Sequence, residues 1–260
     1  MSPLTYTMDQ HRLPYPFKIS GIKSENDYTK TFVLDGPLKA DPGQFVMAWL
    51  PDYQDKPFSL AGTDPVKLTI AAVGPLSRAF HQLTIGDPLW LRGPLGRGYQ
   101  LPDTPAHILL IGGGYGVAPL LFLAQQAQQK GHQVSAIIGA RSGANLLLVQ
   151  EFNAIDVSLW LTTEDGSAGQ QGVVTQAIPL VLANSSARPH SVYSCGPTGM
   201  LQAVAAFCEA ENIPVQVSWE AYMRCAIGLC GSCEAGPGWL TCLDGPVFPF
   251  NPLQTSPPGG

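Results

Sequence analysis

Four cysteines crowd into one short stretch of this chain, at Cys225, Cys230, Cys233 and Cys242; of the other two, Cys195 and Cys208, neither precedes position 195. The spacing is C-x4-C-x2-C-x8-C. A disulfide framework would spread its cysteines along a small secreted chain, so a cluster of this kind points to metal. Zinc sites generally use two C-x2-C pairs, and here the first pair is stretched. C-x4-C-x2-C followed by one more distant cysteine is the plant-type [2Fe–2S] pattern. Gly228, Gly231 and Ser232 let the loop curl and turn N–H groups toward sulfur. A zinc ribbon and a set of unligated buried thiols are the alternatives. Cys208, within Phe207-Cys208-Glu209, suits a small core residue of a helix.

Two further motifs suit a flavin. Lys56-Pro57-Phe58-Ser59 offers a proline-fixed turn, a cation for phosphate and a hydroxyl for a ring edge. Gly74-Pro75-Leu76-Ser77 follows a strand-like run and opens a short helix, where free N–H groups and a hydroxyl suit a pyrophosphate. A Pro-Phe turn or a serine cap alone occurs in any barrel; the two motifs close together carry the argument. Gly93 to Tyr99 reads as a structural turn first and a cofactor contact second.

Two loops suit a dinucleotide. Gly112-Gly113-Gly114-Tyr115-Gly116 lies between the apolar run Ile108–Ile111 and a helical stretch, the context a phosphate-cradling loop requires. It is not the usual G-x-G-x-x-G, and no Asp or Glu occurs between Asp103 and Glu151 to read a ribose. Arg141 stands at the end of the next strand, placed either to meet an adenosine phosphate or ribose or to cap the sheet edge. NAD and NADP both remain open. Cys195-Gly196-Pro197 opens another helix at a strand end, a position facing a nicotinamide; Gly-Pro also starts many ordinary helices.

These residues need elements to hold them. From about 17 to 100, short β-rich segments (Phe17–Ile22, Thr29–Leu34, Gln44–Trp49, Lys67–Val73, Pro88–Leu91) alternate with Gly/Pro/Asp turns, the pattern of a small antiparallel β-barrel. A helical piece, Ser77–Leu83, crosses it. From about 104 to 218, strands (Ile108–Ile111, Val134–Ile138, Val157–Leu161, Ser191–Ser194, Val215–Val217) alternate with helices (Val117–Lys130, Gly172–Leu182, Thr198–Ala210), which predicts a parallel α/β sheet. The remainder is a glycine- and cysteine-rich loop region. The expected division is residues 1–102 as a flavin-binding barrel, 103–218 as an NAD-binding α/β domain and 219–260 as a cluster-binding domain.

Composition agrees. The chain has 260 residues, enough for two cores, and 45% are hydrophobic. A net charge of −5 argues against nucleic-acid binding. Met1–Pro16 lacks a signal-peptide pattern, apolar runs such as Val117–Ala124 are too short to span a bilayer, and only Pro257–Gly260 is of low complexity. A soluble cytoplasmic protein without membrane contact is expected.

The Pro-x-Ser motif, the Gly-Gly-Gly-x-Gly loop and the Cys-Gly-Pro turn together resemble the ferredoxin–NADP reductase superfamily. Ser218-Trp219-Glu220-Ala221-Tyr222-Met223-Arg224-Cys225, then Gly228-Leu229-Cys230-Gly231-Ser232-Cys233, then Cys242-Leu243-Asp244-Gly245-Pro246-Val247-Phe248 resemble the electron-transfer subunits of class 1B dihydroorotate dehydrogenases. The Asp-Gly-Pro-Val-Phe ending is shared with flavin subunits of some cytoplasmic hydrogenases and sulfide dehydrogenases, which supply the rival function. A zinc-binding interaction module is the rival of another class. The resemblance spans roughly residues 15 to 253. It implies FAD at Lys56, Pro57, Phe58 and Ser59, with its pyrophosphate at Gly74 and Ser77. It implies a cluster on Cys225, Cys230, Cys233 and Cys242, placed between FAD and the FMN of a catalytic partner, with NAD as acceptor in pyrimidine biosynthesis. A two-plus-two heterotetramer is the implied assembly. Lys56 replaces the Arg of many relatives and loses its two-pronged phosphate contact. Gly74-Pro75-Leu76-Ser77 replaces Gly-x-Gly-Thr, and the x8 gap makes a smaller cluster loop than in many relatives.

Overall fold

The structure is a computed structural model and describes residues 13–184 and 187–249. The first twelve residues of the polar N-terminal stretch and the Pro257–Gly260 tail lie outside the described residues.

The N-terminal half is an antiparallel sheet of seven strands: β1 (Tyr15–Asn26), β2 (Thr29–Leu34), β3 (Phe45–Trp49), β4 (Lys56–Ser59), β5 (Gly62–Thr63), β6 (Val66–Ala71) and β7 (Pro88–Leu95). Their order is β4-β3-β7-β1-β2-β6-β5. Alternate side chains fill one core, which includes Ile19, Phe32, Leu34, Val46, Leu68, Ile70 and Leu89. Helix α1 (Pro75–Phe80) presses Leu76 and Phe80 into that core. It starts two residues earlier than the sequence suggests, because Pro75 suits the first helical position.

Lys56–Ser59 is a strand rather than the expected turn. β4 pairs with β3 through Phe45/Ser59, Val46/Phe58 and Met47/Pro57. Pro57 is tolerated because β4 is an edge strand and needs no inward N–H at that residue.

The second sheet holds β8 (His107–Gly113), β9 (Gln133–Ala140), β10 (Val157–Thr163), β11 (Gln170–Gln171), β12 (Ser191–Cys195), β13 (Val215–Ser218) and β14 (Val247–Phe248). The order is β11-β10-β9-β8-β12-β13-β14. All pairings are parallel except β13 with β14, so a two-residue antiparallel strand from the C-terminal region edges a parallel sheet. β8 is buried throughout. Ile108 and Leu110 pack with α2 (Val117–Gln129); Leu109 and Ile111 pack with α4 (Val174–Asn184) and α5 (Thr198–Ala210). Covering both faces explains the unbroken apolar run. A short α3 (Val149–Asn153) precedes β10.

The two halves are tied together. The Tyr99 hydroxyl donates to the Ser194 carbonyl at 3.0 Å, and that of Tyr193 to the Gln100 carbonyl at 2.9 Å. Lys23 pairs with both Glu25 and Glu151. Among the described residues no helix is long and apolar enough to cross a membrane.

Candidate functional site

A cavity of about 630 Å³ lies where the two sheets and the C-terminal region meet. β4 supplies Lys56, Pro57, Phe58 and Ser59, and β6, next to the opposite edge of the same sheet, supplies Thr69 and Ala71. The ends of the antiparallel sheet thus face one another across this space. The turn into α1 adds Gly74 and Ser77. The α/β half contributes Tyr115, Gly116, Ala118, Cys195 and Thr198, all at carboxyl ends of strands or at starts of helices. Ser218 to Met223, the segment leading to the first clustered cysteine, completes the wall.

Local contacts set these residues. Phe58 meets Phe80 edge-on, with centroids 5.7 Å apart, which holds β4 against α1. The Ser77 hydroxyl accepts from the Gly74 N–H at 2.8 Å and lies 3.1 Å from the Gly74 carbonyl, so it braces the turn. The Lys56 ammonium lies 4.5 Å from the centre of the Tyr222 ring, and the Tyr222 hydroxyl is 3.4 Å from Gln54.

The glycine loop and the Cys-Gly-Pro turn touch backbone to backbone. A Cβ on Gly116 would stand 2.6 Å from the Cys195 carbonyl carbon, and one on Gly113 would stand 2.7 Å from Met200 Sδ. Glycine here serves close approach, as a loop that brings main chain to a ligand requires. Gly113, Gly196 and Pro197 form the seam behind the cavity wall, where Gly116 and Cys195 emerge; Gly112 packs on Val117 and Leu120 of α2, and a Cβ on Gly114 would meet nothing within 4 Å.

Arg141 is not brought to the cavity. It follows β9, and its carbonyl accepts from the Asp165 N–H at 3.2 Å. Nearby, the Ser167 hydroxyl accepts from the Gly143 N–H at 2.7 Å.

Burial shapes the titrating groups at the α/β end of the cavity. Burial, and then the charge of Glu220, push the Cys195 thiol up to about 12, so it is neutral at ordinary pH. Burial raises the Glu220 carboxyl, while a hydrogen bond from Tyr115, at 3.3 Å, works in the opposite direction. Tyr115, Thr69 and Glu220 escaped the sequence reading as site residues. An acidic residue isolated between a strand end and a cysteine cluster was the available signal for Glu220.

The four clustered cysteines come together beside this cavity. Met223, Ala226, Cys233 and Cys242 pack on Phe45 and Met47 of β3. The thiols fall in two pairs: Cys233 donates to Cys242 at 3.3 Å, and Cys225 is near enough to Cys230 to help lower its thiol. Backbone N–H groups of Ile227 and Leu229 point at Cys225 Sγ (3.5 and 3.4 Å), and that of Gly228 at Cys242 Sγ (3.3 Å). Ser232 Oγ lies 3.1 Å from Cys230 Sγ, and its hydrogen bonding is the largest influence holding that thiol down at about 6. Burial pushes Cys242 up to about 12. Among the described residues, no three His, Cys, Asp or Glu side chains converge as on a single ion. Thiols in two pairs, ringed by N–H donors, fit a two-iron cluster better than a mononuclear zinc. Cys208 is fully buried in the core beneath α5.

Comparison with known proteins bears on this arrangement. Residues 110–206 match a family model described as an oxidoreductase NAD-binding domain, and residues 220–254 match the iron–sulfur cluster binding domain of dihydroorotate dehydrogenase B. A solved structure of an NADH-dependent reduced ferredoxin–NADP oxidoreductase is 28% identical with a TM-score of 0.80, covering 89% of this chain and 87% of the other. Fold and cavity therefore define a flavin reductase of the ferredoxin–NADP reductase type, with a cluster region appended. Among curated proteins, a probable dihydroorotate dehydrogenase B (NAD(+)) electron transfer subunit of Thermococcus kodakarensis is 43% identical over 84% of this chain and 89% of its own length. One from Methanothermobacter thermautotrophicus is 37% identical over 93% and 91%. The chain belongs to the family of dihydroorotate dehydrogenase B electron transfer subunits. It is an oxidoreductase subunit whose cofactor complement is FAD, a [2Fe–2S] cluster and NAD, and its work requires a catalytic partner subunit. The zinc-binding interaction module is not supported.

Proposed function

We propose that this chain carries electrons from the FMN of a dihydroorotate-oxidising partner, through a cluster on Cys225, Cys230, Cys233 and Cys242, to FAD in the 630 Å³ cavity and on to NAD+. The observation that carries the proposal is the shared wall. Ser218–Met223 lines the cavity and then runs into Cys225, while the inner thiols Cys233 and Cys242 pack on β3, directly behind Phe45 of the same cavity. Flavin, when bound, can exchange single electrons with iron–sulfur centres and electron pairs with nicotinamide.

The chain's own residues position the rest. Lys56 supplies positive charge, Pro57 and Phe58 fix the edge strand, and Ser59 offers a hydroxyl for the flavin. The Gly74 N–H is taken by the Ser77 hydroxyl, and the turn so braced offers the first-turn N–H groups of Leu76 and Ser77 to the pyrophosphate. Gly112, Gly113, Gly114 and Gly116, with Cys195, Gly196 and Pro197, bring two strand ends together for the nicotinamide half. Arg141 lies at the next strand end, where an adenosine moiety would extend away from the cavity. Cys195, neutral through burial, offers no charge to the nicotinamide ring.

The divisions at 102/103 and 218/219, the two-plus-two stoichiometry and the cytoplasmic location belong to the same proposal. The test separates the division of labour. Purified alone, the chain should reduce dyes with NADH and leave dihydroorotate untouched; the FMN partner, co-expressed, should bring dihydroorotate-dependent NAD+ reduction. Dihydroorotate turnover by the isolated chain would overturn the proposal. Co-purification with a nickel subunit would transfer the same electron chemistry to a hydrogenase.

A further inference from the structure

Thr241 is fully buried, and its hydroxyl has no hydrogen-bond partner among the described residues. An unmade hydrogen bond at a buried hydroxyl is costly, so such a group normally marks an acceptor still to be supplied. Its position says which acceptor. The Thr241 N–H donates to the Cys233 carbonyl at 3.0 Å, and the next residue is Cys242. Thr241 therefore flanks both members of the inner thiol pair, whose sulfurs lie 3.3 Å apart. The side chains packed on that pair are apolar: Phe45, Met47, Met223 and Ala226.

The donors to the thiols are also unevenly shared. Cys225 receives both the Ile227 and the Leu229 N–H groups and Cys230 faces the Ser232 hydroxyl, whereas on the inner side Cys242 receives the Gly228 N–H. A cluster seated here would be more sparsely solvated by donors on its inner side, where Thr241 lies.

We propose that Thr241 is a positioning residue for the electron-transfer step: its hydroxyl donates a hydrogen bond to sulfur on the inner, Cys233/Cys242 side of the bound cluster and raises the cluster's reduction potential. The inference rests on the cluster assignment above. Its sign follows from charge. The reduced cluster carries one more negative charge than the oxidised one, and a donated hydrogen bond favours the more negative form. In low-dielectric surroundings the effect is larger than at the exposed Cys230.

The test is an EPR-monitored redox titration of the flavin- and cluster-loaded complex with wild-type, Thr241→Val and Thr241→Ser chains. Valine keeps the shape and removes the hydroxyl; serine keeps the hydroxyl. The expected result for valine is about a tenfold fall in the reduced-to-oxidised ratio at fixed potential, which is about 59 mV lower for one electron, with serine close to wild type. Pulsed EPR after exchange into D2O should show one exchangeable proton coupling lost in valine and kept in serine. If the valine chain does not load, Thr241→Ala is read in the same way. An unchanged potential with an unchanged coupling in valine overturns the proposal, as does an equal shift in valine and serine, which would assign the effect to packing. A wild-type complex without a [2Fe–2S] signal would instead defeat the cluster assignment itself.

Discussion

Gly116→Ala tests how the nicotinamide side is built. Gly116 has φ −62° and ψ −11°, so alanine meets no backbone strain there. The obstacle is space. The added Cβ would lie 2.6 Å from the Cys195 carbonyl carbon and oxygen and 2.7 Å from the Gly196 nitrogen, all main-chain atoms that cannot swing aside. Relieving the closest of these to ordinary contact at 3.4 Å moves the two strand-end loops apart by about 0.8 Å. Overpacking of this size costs about 1–3 kcal/mol of stability, which a folded domain tolerates. A displacement near 1 Å between reacting groups costs about a hundredfold in rate. The expected outcome in anaerobic stopped flow is roughly a hundredfold slower flavin reduction by NADH, with dithionite reduction of flavin and cluster unchanged. Gly199→Ala, where a Cβ meets nothing within 4 Å, is the control and should behave as wild type. Wild-type NADH reduction by a folded, flavin-loaded Gly116→Ala chain would refute the reasoning that these two loops together position the nicotinamide.

Cys233→Ser is expected to abolish the cluster signal and iron content while leaving flavin content and NADH-dependent dye reduction intact; simultaneous loss of flavin would show that the inner thiol pair also supports the cavity. Met223→Ala removes a buried side chain between the cluster loop and β3; a loss of about 2–5 kcal/mol, seen as a lower Tm and faster protease cleavage near residue 223, is expected. Lys56→Met should raise the FAD dissociation constant about tenfold by removing a charge near phosphate, measured by flavin fluorescence on release. Stability should also depend on alkaline pH. Because the Cys195 thiol is raised from 9.0 to about 12, its contribution is intact below pH 9 and is lost as pH climbs toward 12. The urea midpoint should be flat across neutral pH, fall above pH 9, and fall less steeply in Cys195→Ala.

Much of the architecture is legible in the chain because its signals are local. Ile108–Ile111 is apolar on both faces because helices cover both, and Thr198–Ala210 has the helical bounds its sequence suggests. Signals that depend on tertiary pairing are not legible. β14 is two residues long and exists only because β13 offers an edge. Lys56–Ser59 reads as a turn through Pro57, yet the edge of the sheet accommodates that proline. The same limit applies to the site. The cysteine spacing announces its own geometry, since three of the four residues come from one tight loop. The contribution of Tyr115, Thr69 and Glu220 to the cavity arises only when three distant segments meet, and no periodicity marks them. Arg141 shows the converse: its position at a strand end is clear from sequence, but the cavity lies elsewhere.

The most direct test of the central claim is an anaerobic absorption spectrum of the purified chain, recorded before and during titration with NADH. Flavin bands over a broad iron–sulfur absorbance are expected, with NADH bleaching both, because the cavity and the cysteine loop share a wall. A folded, anaerobically prepared chain lacking both bands, or one whose iron–sulfur absorbance ignores reduction of the flavin, would contradict it.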